Sequence, residues 1–412
     1  MADTLAAAGA ASAEVPGYPM PRSSGCPFSP PEPVLAMTAE NPVAQVRIWD
    51  GSTPWIITRH ADQRLLLADP RVSIDEHLPN FPHMTAGRAA AVQGIPPLIT
   101  NTDAPEHTRL RRVVNPPFMV KRIEKLRPRI QQIIDDLIDA MLAGENPADL
   151  VTAVGLPVPT LVITELLGVP YADHEFFQTN SNKTISHDST PEEAMRASGA
   201  LAGYLDNLLR QKMTEPAEDV LSEMAGRIKA GEMTHTEAVM MGVAILIAGH
   251  ETTANMISLG TLALLRNPDQ LALLRETEDP KVVAGAVEEL LRYLTIVHTG
   301  IRRIAVEDIE LDGKLIRAGD GLIFDLGAAD WDTREFPAPE QLDLTRPARQ
   351  HHAFGYGVHQ CLGQSLARVE LQIVYSTLYR RIPTLALAVP FEEIDFAFAG
   401  VAYGLHSLPV TW

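Results

Sequence analysis

Three short stretches of this chain hold side chains that could do chemistry. One is AFGYGVHQCLG, residues 353–363, with one of the chain's two cysteines. Cysteine reacts, or binds a metal, as its thiolate, and the thiolate needs a lowered pKa. The N-terminus of a helix lowers it through free N–H groups and the helix dipole. A helical run begins just after Cys361. Gly355, Gly357 and Gly363 give the backbone freedom to turn and to approach a flat ligand closely. A buried structural cysteine at a turn would show the same pattern, and the cysteine alone does not decide.

The second stretch is AGHETT, residues 248–253. Glycine inside a helix costs about 1 kcal/mol against alanine, and Gly249 sits in the middle of an apolar run. His250, Glu251, Thr252 and Thr253 bring polar groups into that run, and a buried charge needs compensation. His250-Glu251 opens like the H-E-x-x-H of zinc proteases, but the fifth position is Ala254, which excludes that site. A threonine hydroxyl can bond the carbonyl four residues back and bend the helix. A distorted turn with a Glu-Thr pair could hold a small ligand or relay protons. A purely structural polar turn reads equally well. The third stretch is EELLR, where Glu289 and Arg292 share a helical face. Taken alone, that spacing is ordinarily a solvated surface pair.

Long helices must position these groups. A Thr-His-Thr-Glu capping box at Thr234 predicts a helix running to Asn267-Pro268, with a first half apolar on every face and therefore buried. Residues 127–144 place Ile130, Ile133, Ile134, Leu137, Ile138 and Met141 at helical spacing, and 280–294 form another helix. Val43 to His60 reads as a hairpin around Asp50-Gly51, and 301–326 as short strands with a turn at Asp312-Gly313. Residues 76–104, with Pro79, Pro82, Pro96 and Pro97, read as a long loop. Residues 1–33 are rich in Ala, Pro and Ser and read as a flexible segment, leaving 34–412 as a single domain. The expected class is mainly α with a small β region.

Composition narrows the function. With 34 Lys plus Arg against 52 Asp plus Glu, the net charge is −18, which excludes a general nucleic-acid binder. Two distant cysteines make no disulfide framework and point to a reducing compartment. The first twenty residues lack the basic start of a signal peptide. The longest apolar stretch, 239–249, falls short of the roughly 18 residues a membrane span needs. A cytoplasmic protein with no membrane partner is expected.

In order along the chain come the Glu-Thr helix, the ExxR pair and Phe354-Gly355-x-Gly357-x-His359-x-Cys361-Leu362-Gly363. In this the chain resembles the cytochrome P-450 superfamily of haem-thiolate monooxygenases, from about residue 30 to the C-terminus. LLGVPYADHEFF and HQCLGQSLARVEL resemble the actinobacterial branch that hydroxylates vitamin D, compactin, macrolides and herbicides.

The resemblance implies a cytochrome P-450 fold, with haem b (iron protoporphyrin IX) between a long distal helix and a proximal Cys-loop and helix. Cys361 is then the metal ligand, in a cofactor loop that includes Phe354, Gly355 and Gly363. His107 and Arg111 of EHTRLRR, Arg303 rather than Arg302 of RRIAVEDIEL, and His359 would bind the propionates, and arginine's fork suits a carboxylate. Glu251 and Thr252 match the acid-alcohol pair that handles dioxygen and its protons, and Ala248 with Gly249 leaves room over the iron. Glu289, Arg292 and Arg346 match a buried ion network. Two departures from the common pattern are Leu342, often Phe, and Asp330-Trp331-Asp332, often Asn-Arg-Asp.

Nothing in the chain binds flavin or nicotinamide, so the resemblance implies electrons from a ferredoxin and its reductase. Residues 109–129 carry eight basic side chains and one acid, Glu124, a surface suited to that partner. The family's pocket positions fall on 76–104, 173–195, 296–299 and 396–403. Among them Ile95, Ile296 and Val297 favour a bulky hydrophobic substrate: a macrolide or other polyketide, a statin-like, sterol-like or xenobiotic compound. The implied reaction puts one atom of O2 into a C–H bond and releases the other as water. A peroxide-driven peroxygenase and a non-catalytic recruitment module are the alternatives. Both tend to lose the acid-alcohol pair that is intact here. Oxidative coupling on the same scaffold stays open.

Overall fold

The structure is a computed structural model that describes residues 15–23, 26–94, 97–185, 190–398 and 402–412. Its organising element is the central helix His235–Arg266. The Thr234 hydroxyl accepts from the Glu237 N–H at 3.2 Å, and the Glu237 carboxylate accepts from the Thr234 N–H at 2.7 Å. The capping box read from the sequence therefore forms. At 32 residues the helix is about 48 Å long. It packs on Pro157–Leu167, on Pro191–Thr214 and on the Cys helix Gln364–Arg381. The Cys helix is covered in turn by Val120–Ala143 and by the ExxR helix Pro280–Leu294.

The β region is small. A five-stranded sheet has the order Val43–Gln45, Trp55–Ile57, Gly321–Phe324, Ile301–Ala305, Val72–Ser73. Its first two strands are the expected hairpin, with Val43 opposite Ile57. Asp312 and Gly313 both have positive φ, which gives the primed turn that matches strand twist. Side chains alternate along a strand, so Arg302 and Arg303 take opposite faces of the sheet. Helices make up 54% of the described residues, in keeping with the mainly α class.

Three expectations change. The helix expected at 127–144 starts at Val120, with Pro128 inside it. Its apolar stripe reaches back to buried Ile123, and packing against the Cys helix outweighs the hydrogen bond lost at proline. The 76–104 loop contains a short helix, Ala86–Ala91, capped by the Thr85 hydroxyl, which accepts from the Arg88 N–H at 3.1 Å. The segment 1–33 is not irregular throughout. Gly17 pairs with Arg47, and the buried Tyr18 hydroxyl donates to Asp325 Oδ2 at 3.1 Å. Arg22 caps the Phe28 carbonyl at 3.0 Å and stacks on the Tyr403 ring, 4.3 Å from its centroid. Residues 1–14, 24 and 25 lie outside the described residues.

Candidate active site

A helix that is buried on all sides should show no accessible stripe, yet the central helix has one. Ala248 is exposed, and Ala244, Ile247, Glu251, Thr252 and Asn255 are partly accessible. Val243, Ile245, Leu246, His250, Thr253 and Ala254 around them are buried. The accessible positions recur at three- and four-residue spacing, so they form one face that borders an internal space. Thr252 Oγ1 donates to the Ala248 carbonyl at 2.8 Å. This commits the hydroxyl proton and leaves the oxygen able to accept. Burial raises the Glu251 pKa, so that carboxyl holds its proton to a higher pH than an ordinary glutamate. His250 takes the opposite face. Thr160 Oγ1 donates to the Leu156 carbonyl at 2.9 Å, so the contact of 2.6 Å to His250 is a bond donated by Nδ1. Burial lowers the His250 pKa to about 4, which makes it a neutral anchor at pH 7.

Cys361 lies at the end of a tight loop just before the Cys helix. Its N–H donates to the Phe354 carbonyl at 2.9 Å, closing the loop. The thiol is accessible, and burial of its surroundings pushes its pKa up. The N–H groups of Gly363 and Gln364, with Arg111 and Arg368, pull the pKa the other way and favour the thiolate. Gly355 and Gly357 both have positive φ. At Gly357 a Cβ would also strike the Leu67 carbonyl, so this glycine packs the loop on the helix His60–Leu67 rather than clearing a ligand. The adjoining Tyr356 hydroxyl accepts from Arg64 Nη2 at 3.1 Å on the same helix.

Beside the loop, cationic groups gather without counter-ions enough to match them. The rings of His107 and His359 lie 4.1 Å apart, centre to centre. His107 Nε2 and His359 Nδ1 are buried and have no partner among the described residues. Burial, with His359, Arg111 and Arg303, lowers the His107 pKa to about 4. Arg303 is 7% exposed, and burial lowers its pKa to about 10. Among the described residues its one side-chain bond runs from Nη1 to the Arg302 carbonyl at 2.6 Å. Arg302, on the other face, bonds the Gly300 carbonyl at 2.7 Å and lies near Tyr18. Arg111 Nη2 donates to the Gln360 carbonyl at 2.8 Å. Asp103 lies 3.8 Å from His359 Nε2, and Asp103 and Glu76 are the acids near Arg303. Unpaired buried nitrogens are costly, and carboxylates delivered by a ligand would satisfy them. No group of three His, Cys, Asp or Glu side chains converges among the described residues. An iron at Cys361 would therefore draw its other donors from a macrocycle. These observations fit a flat, carboxylate-bearing haem.

The ExxR pair is fully buried. Arg292 grips Glu289 with two bonds, 2.7 and 2.9 Å, and caps the carbonyls of Asp330 and Pro339 at 3.0 Å. Arg346 Nε reaches Glu289 Oε1 at 3.1 Å, so the third member of the network is also in place. The unusual Asp330 accepts from the Thr295 hydroxyl at 2.7 Å and the His352 N–H at 2.6 Å, and Trp331 Nε1 donates to the Tyr293 carbonyl at 3.1 Å. Sequence reasoning missed Glu288, the residue just before Glu289. Glu288 binds His351 and Arg368, and Arg368 stacks on the Phe354 ring. Only the doubled glutamate of EELLR hinted at it.

Ile296 is buried in the main core, and its carbonyl accepts from the Tyr403 N–H at 2.7 Å. Val297 is half-buried, and Ile95 lies outside the described residues. The basic stretch is less bare than its composition implied. Arg109 pairs with Glu106 and Glu237, Arg122 with Glu223, Arg127 with Glu124 and Arg129 with Glu165. Arg112, Lys121 and Lys125 are exposed and in no ion pair among the described residues. Met119 and Val120 at the start of the helix Val120–Ala143, and Val358 in the Cys361 loop, are large exposed apolar side chains. No helix among the described residues is long and apolar enough to cross a membrane.

Comparison with known proteins agrees with this geometry. Residues 191–382 match the family described as Cytochrome P450. Cytochrome P450 CYP105Q4 of Mycobacterium marinum is 54% identical, covering 100% of both chains. The crystal structure of GfsF has a TM-score of 0.93 at 55% identity, covering 97% of this chain and 100% of that one. Vitamin D3 dihydroxylase of Streptomyces griseolus is 43% identical over 97% of each chain. With likeness of this degree along its whole length, the chain belongs to the cytochrome P450 family and is a P450 monooxygenase of the actinobacterial branch.

Proposed function

We propose that this enzyme hydroxylates a bulky hydrophobic small molecule, with Cys361 as the thiolate ligand of a haem b and electrons supplied by a ferredoxin and its reductase. The carrying observation is the accessible stripe of Ala248, Glu251 and Thr252 on an otherwise buried helix, together with an accessible thiol and the unpaired buried imidazole nitrogens of His107 and His359 beside Arg111 and Arg303. When bound, the haem supplies the activation of O2 at its iron. His107, Arg111, Arg303 and His359 hold its carboxylates by charge-assisted bonds. Phe354, Gly355 and Gly363 shape the loop around the sulfur.

The remaining residues manage protons and substrate. Thr252 Oγ1 accepts a hydrogen bond at the reaction side of the helix. Glu251, protonated to a higher pH than usual, passes protons to that position. Ala248 leaves space because it is small. Ile95, Ile296 and Val297 fall at the family's pocket positions and are apolar, and of these the half-buried Val297 is the accessible one among the described residues. The relative named for vitamin D3 supports a large hydrophobic substrate. Exposed Arg112, Lys121 and Lys125, with the exposed apolar Met119, Val120 and Val358, suit a small acidic ferredoxin.

The test is spectral. Reduced holoenzyme with CO should give the strongly red-shifted Soret band of thiolate-bound haem, and Cys361→Ser should lose it. A stable protein that binds no haem, or a Cys361→Ser variant that keeps the band, overturns the reading. Soret shifts across a panel of hydrophobic compounds then identify the substrate class, and a panel in which only small polar compounds shift the band overturns that part.

A further inference from the structure

Six polar side chains form a chain around the base of the Cys361 loop. His351 Nδ1 accepts from the Ala353 N–H at 3.1 Å, so its proton sits on Nε2, which donates to Glu288 Oε2 at 3.0 Å. Glu288 also receives the Arg368 fork, Nε to Oε1 at 2.6 Å and Nη2 to Oε2 at 3.0 Å. Arg368 Nη1 donates to Gln364 Oε1 at 2.9 Å, and Gln364 Nε2 donates to Gln360 Oε1 at 3.1 Å. Arg111 ends the chain on the Gln360 carbonyl. Its two ends thus reach both sides of the loop that carries Cys361.

Of the two arginines in this hydrogen-bonded chain, Arg368 is the one that packs on the Phe354 side of the loop and pairs with a carboxylate. Its guanidinium lies 4.6 Å from the Phe354 ring centre, and the Phe354 carbonyl accepts from the Cys361 N–H. Glu288 is the carboxylate that partly cancels the Arg368 charge, in a site where both side chains are largely removed from water. Fields act strongly over such distances where water is excluded.

We infer that Arg368 and Glu288 are opposed positioning residues that set the electron affinity of the iron held by Cys361, Arg368 raising it and Glu288 lowering it. The inference rests on the reading of Cys361 as the iron's ligand. Ferric iron takes one electron from the reductant to become ferrous, with no bond made or broken, and the charge of the site falls by one. A nearby cation favours that product. A nearby carboxylate disfavours it. If the pair only braced the loop, loss of either half would leave a buried unpaired charge and disturb the site in the same way. An electrostatic role gives shifts of opposite sign.

The experiment is a spectroelectrochemical titration of the holoenzyme against Glu288→Gln, Arg368→Gln and Arg368→Lys, with the ferrous–CO band recorded for each. The midpoint should rise in Glu288→Gln, fall in Arg368→Gln and stay near wild type in Arg368→Lys, which keeps the charge. If Arg368→Gln loads no haem, a raised Glu288→Gln midpoint beside an unmoved Arg368→Lys supports the inference, and any other pattern overturns it. Unmoved or same-signed midpoints with the CO band intact overturn this inference alone. A wild-type protein without that band overturns the ligand assignment and this inference with it.

Discussion

Asn255 and Gly404 are fitted to each other: a Cβ on Gly404 would lie 2.5 Å from the Asn255 Cγ. Gly404 has no positive φ that would demand glycine, so the close approach alone explains the residue. Asn255 follows Thr252 by three positions and Glu251 by four on the accessible face. Gly404 belongs to the short strand Gly404–Leu405, paired with Phe396–Ala397. One amide therefore sets the spacing between this hairpin and the reactive turn of the central helix. Gly404→Ala should overpack the contact and destabilise the enzyme by about 1–3 kcal/mol, seen as a lower Tm, with altered Soret-shift affinities for hydrophobic ligands. Adding Asn255→Ala should restore both. A double variant no better than the single one would sink this account.

How much of this was legible beforehand depended on whether partners were close in sequence or carried by a motif. The Thr234 box spans three residues and formed as read. Cys361, Glu289, Arg292 and Arg346 stood out through their spacing and family likeness. The Glu288 network did not, because its partners His351 and Arg368 lie 63 and 80 positions away. Glu288 then reads as one more surface acid. The basic run at 109–129 misled for the same reason: Glu237, Glu223 and Glu165 reach it only through the fold. Gly357 was assigned to ligand approach, but its neighbour is the Leu67 carbonyl. Arg22 and Tyr18 looked like parts of a loose segment because their partners, Tyr403 and Asp325, are some 300 or more positions away.

Glu370 is 2% exposed on the Cys helix, its Oε2 has no partner among the described residues, and burial raises its pKa to about 8. A carboxyl with a raised folded pKa binds its proton more tightly when folded. Its stabilising contribution is complete below the ordinary 4.5 and is lost as pH rises to 8. Across that window the loss is on the order of 5 kcal/mol. Glu370→Gln keeps the shape and cannot ionise. Its Tm should match wild type near pH 4.5 and exceed it increasingly up to pH 8. Parallel Tm profiles for the two proteins across this range would contradict it.

Thr252 offers an acceptor on the accessible face because its proton is committed to the Ala248 carbonyl. Thr252→Ala removes the oxygen and leaves the helix otherwise unchanged. Proton delivery by a positioned group is worth about 10²–10⁴-fold in general. Product formation should fall at least about tenfold while reductant consumption persists and hydrogen peroxide accumulates. Measuring product, NADH and peroxide together decides it. Unchanged coupling would remove Thr252 from proton handling.

Charge reversal should separate the paired cations from the free ones. Lys121→Glu and Lys125→Glu remove exposed charges that have no ion-pair partner among the described residues. Arg129→Glu loses a cation already paired with Glu165 at 3.1 Å. The first two should slow reduction by ferredoxin and flatten its dependence on ionic strength. The third should change it little. Stopped-flow reduction at several salt concentrations gives the comparison, and equal effects from all three would refute the placement of the docking surface.

Arg303 should act with opposite sign in the haem-free and haem-bound protein. Burial lowers its pKa to about 10 from 12.5, so its charge is held at a cost on the order of 3 kcal/mol when no anion faces it. Arg303→Leu removes that cost, and the haem-free variant should melt higher than haem-free wild type. If Arg303 binds a haem carboxylate as proposed, its loss in the holoenzyme would leave that carboxylate one donor short. Haem should then pass to apomyoglobin faster, by about tenfold for each 1.4 kcal/mol lost. A structural arginine would give lower stability in both states. A rise in one and a fall in the other is the signature of a cation placed for a ligand, and two falls would refute that placement.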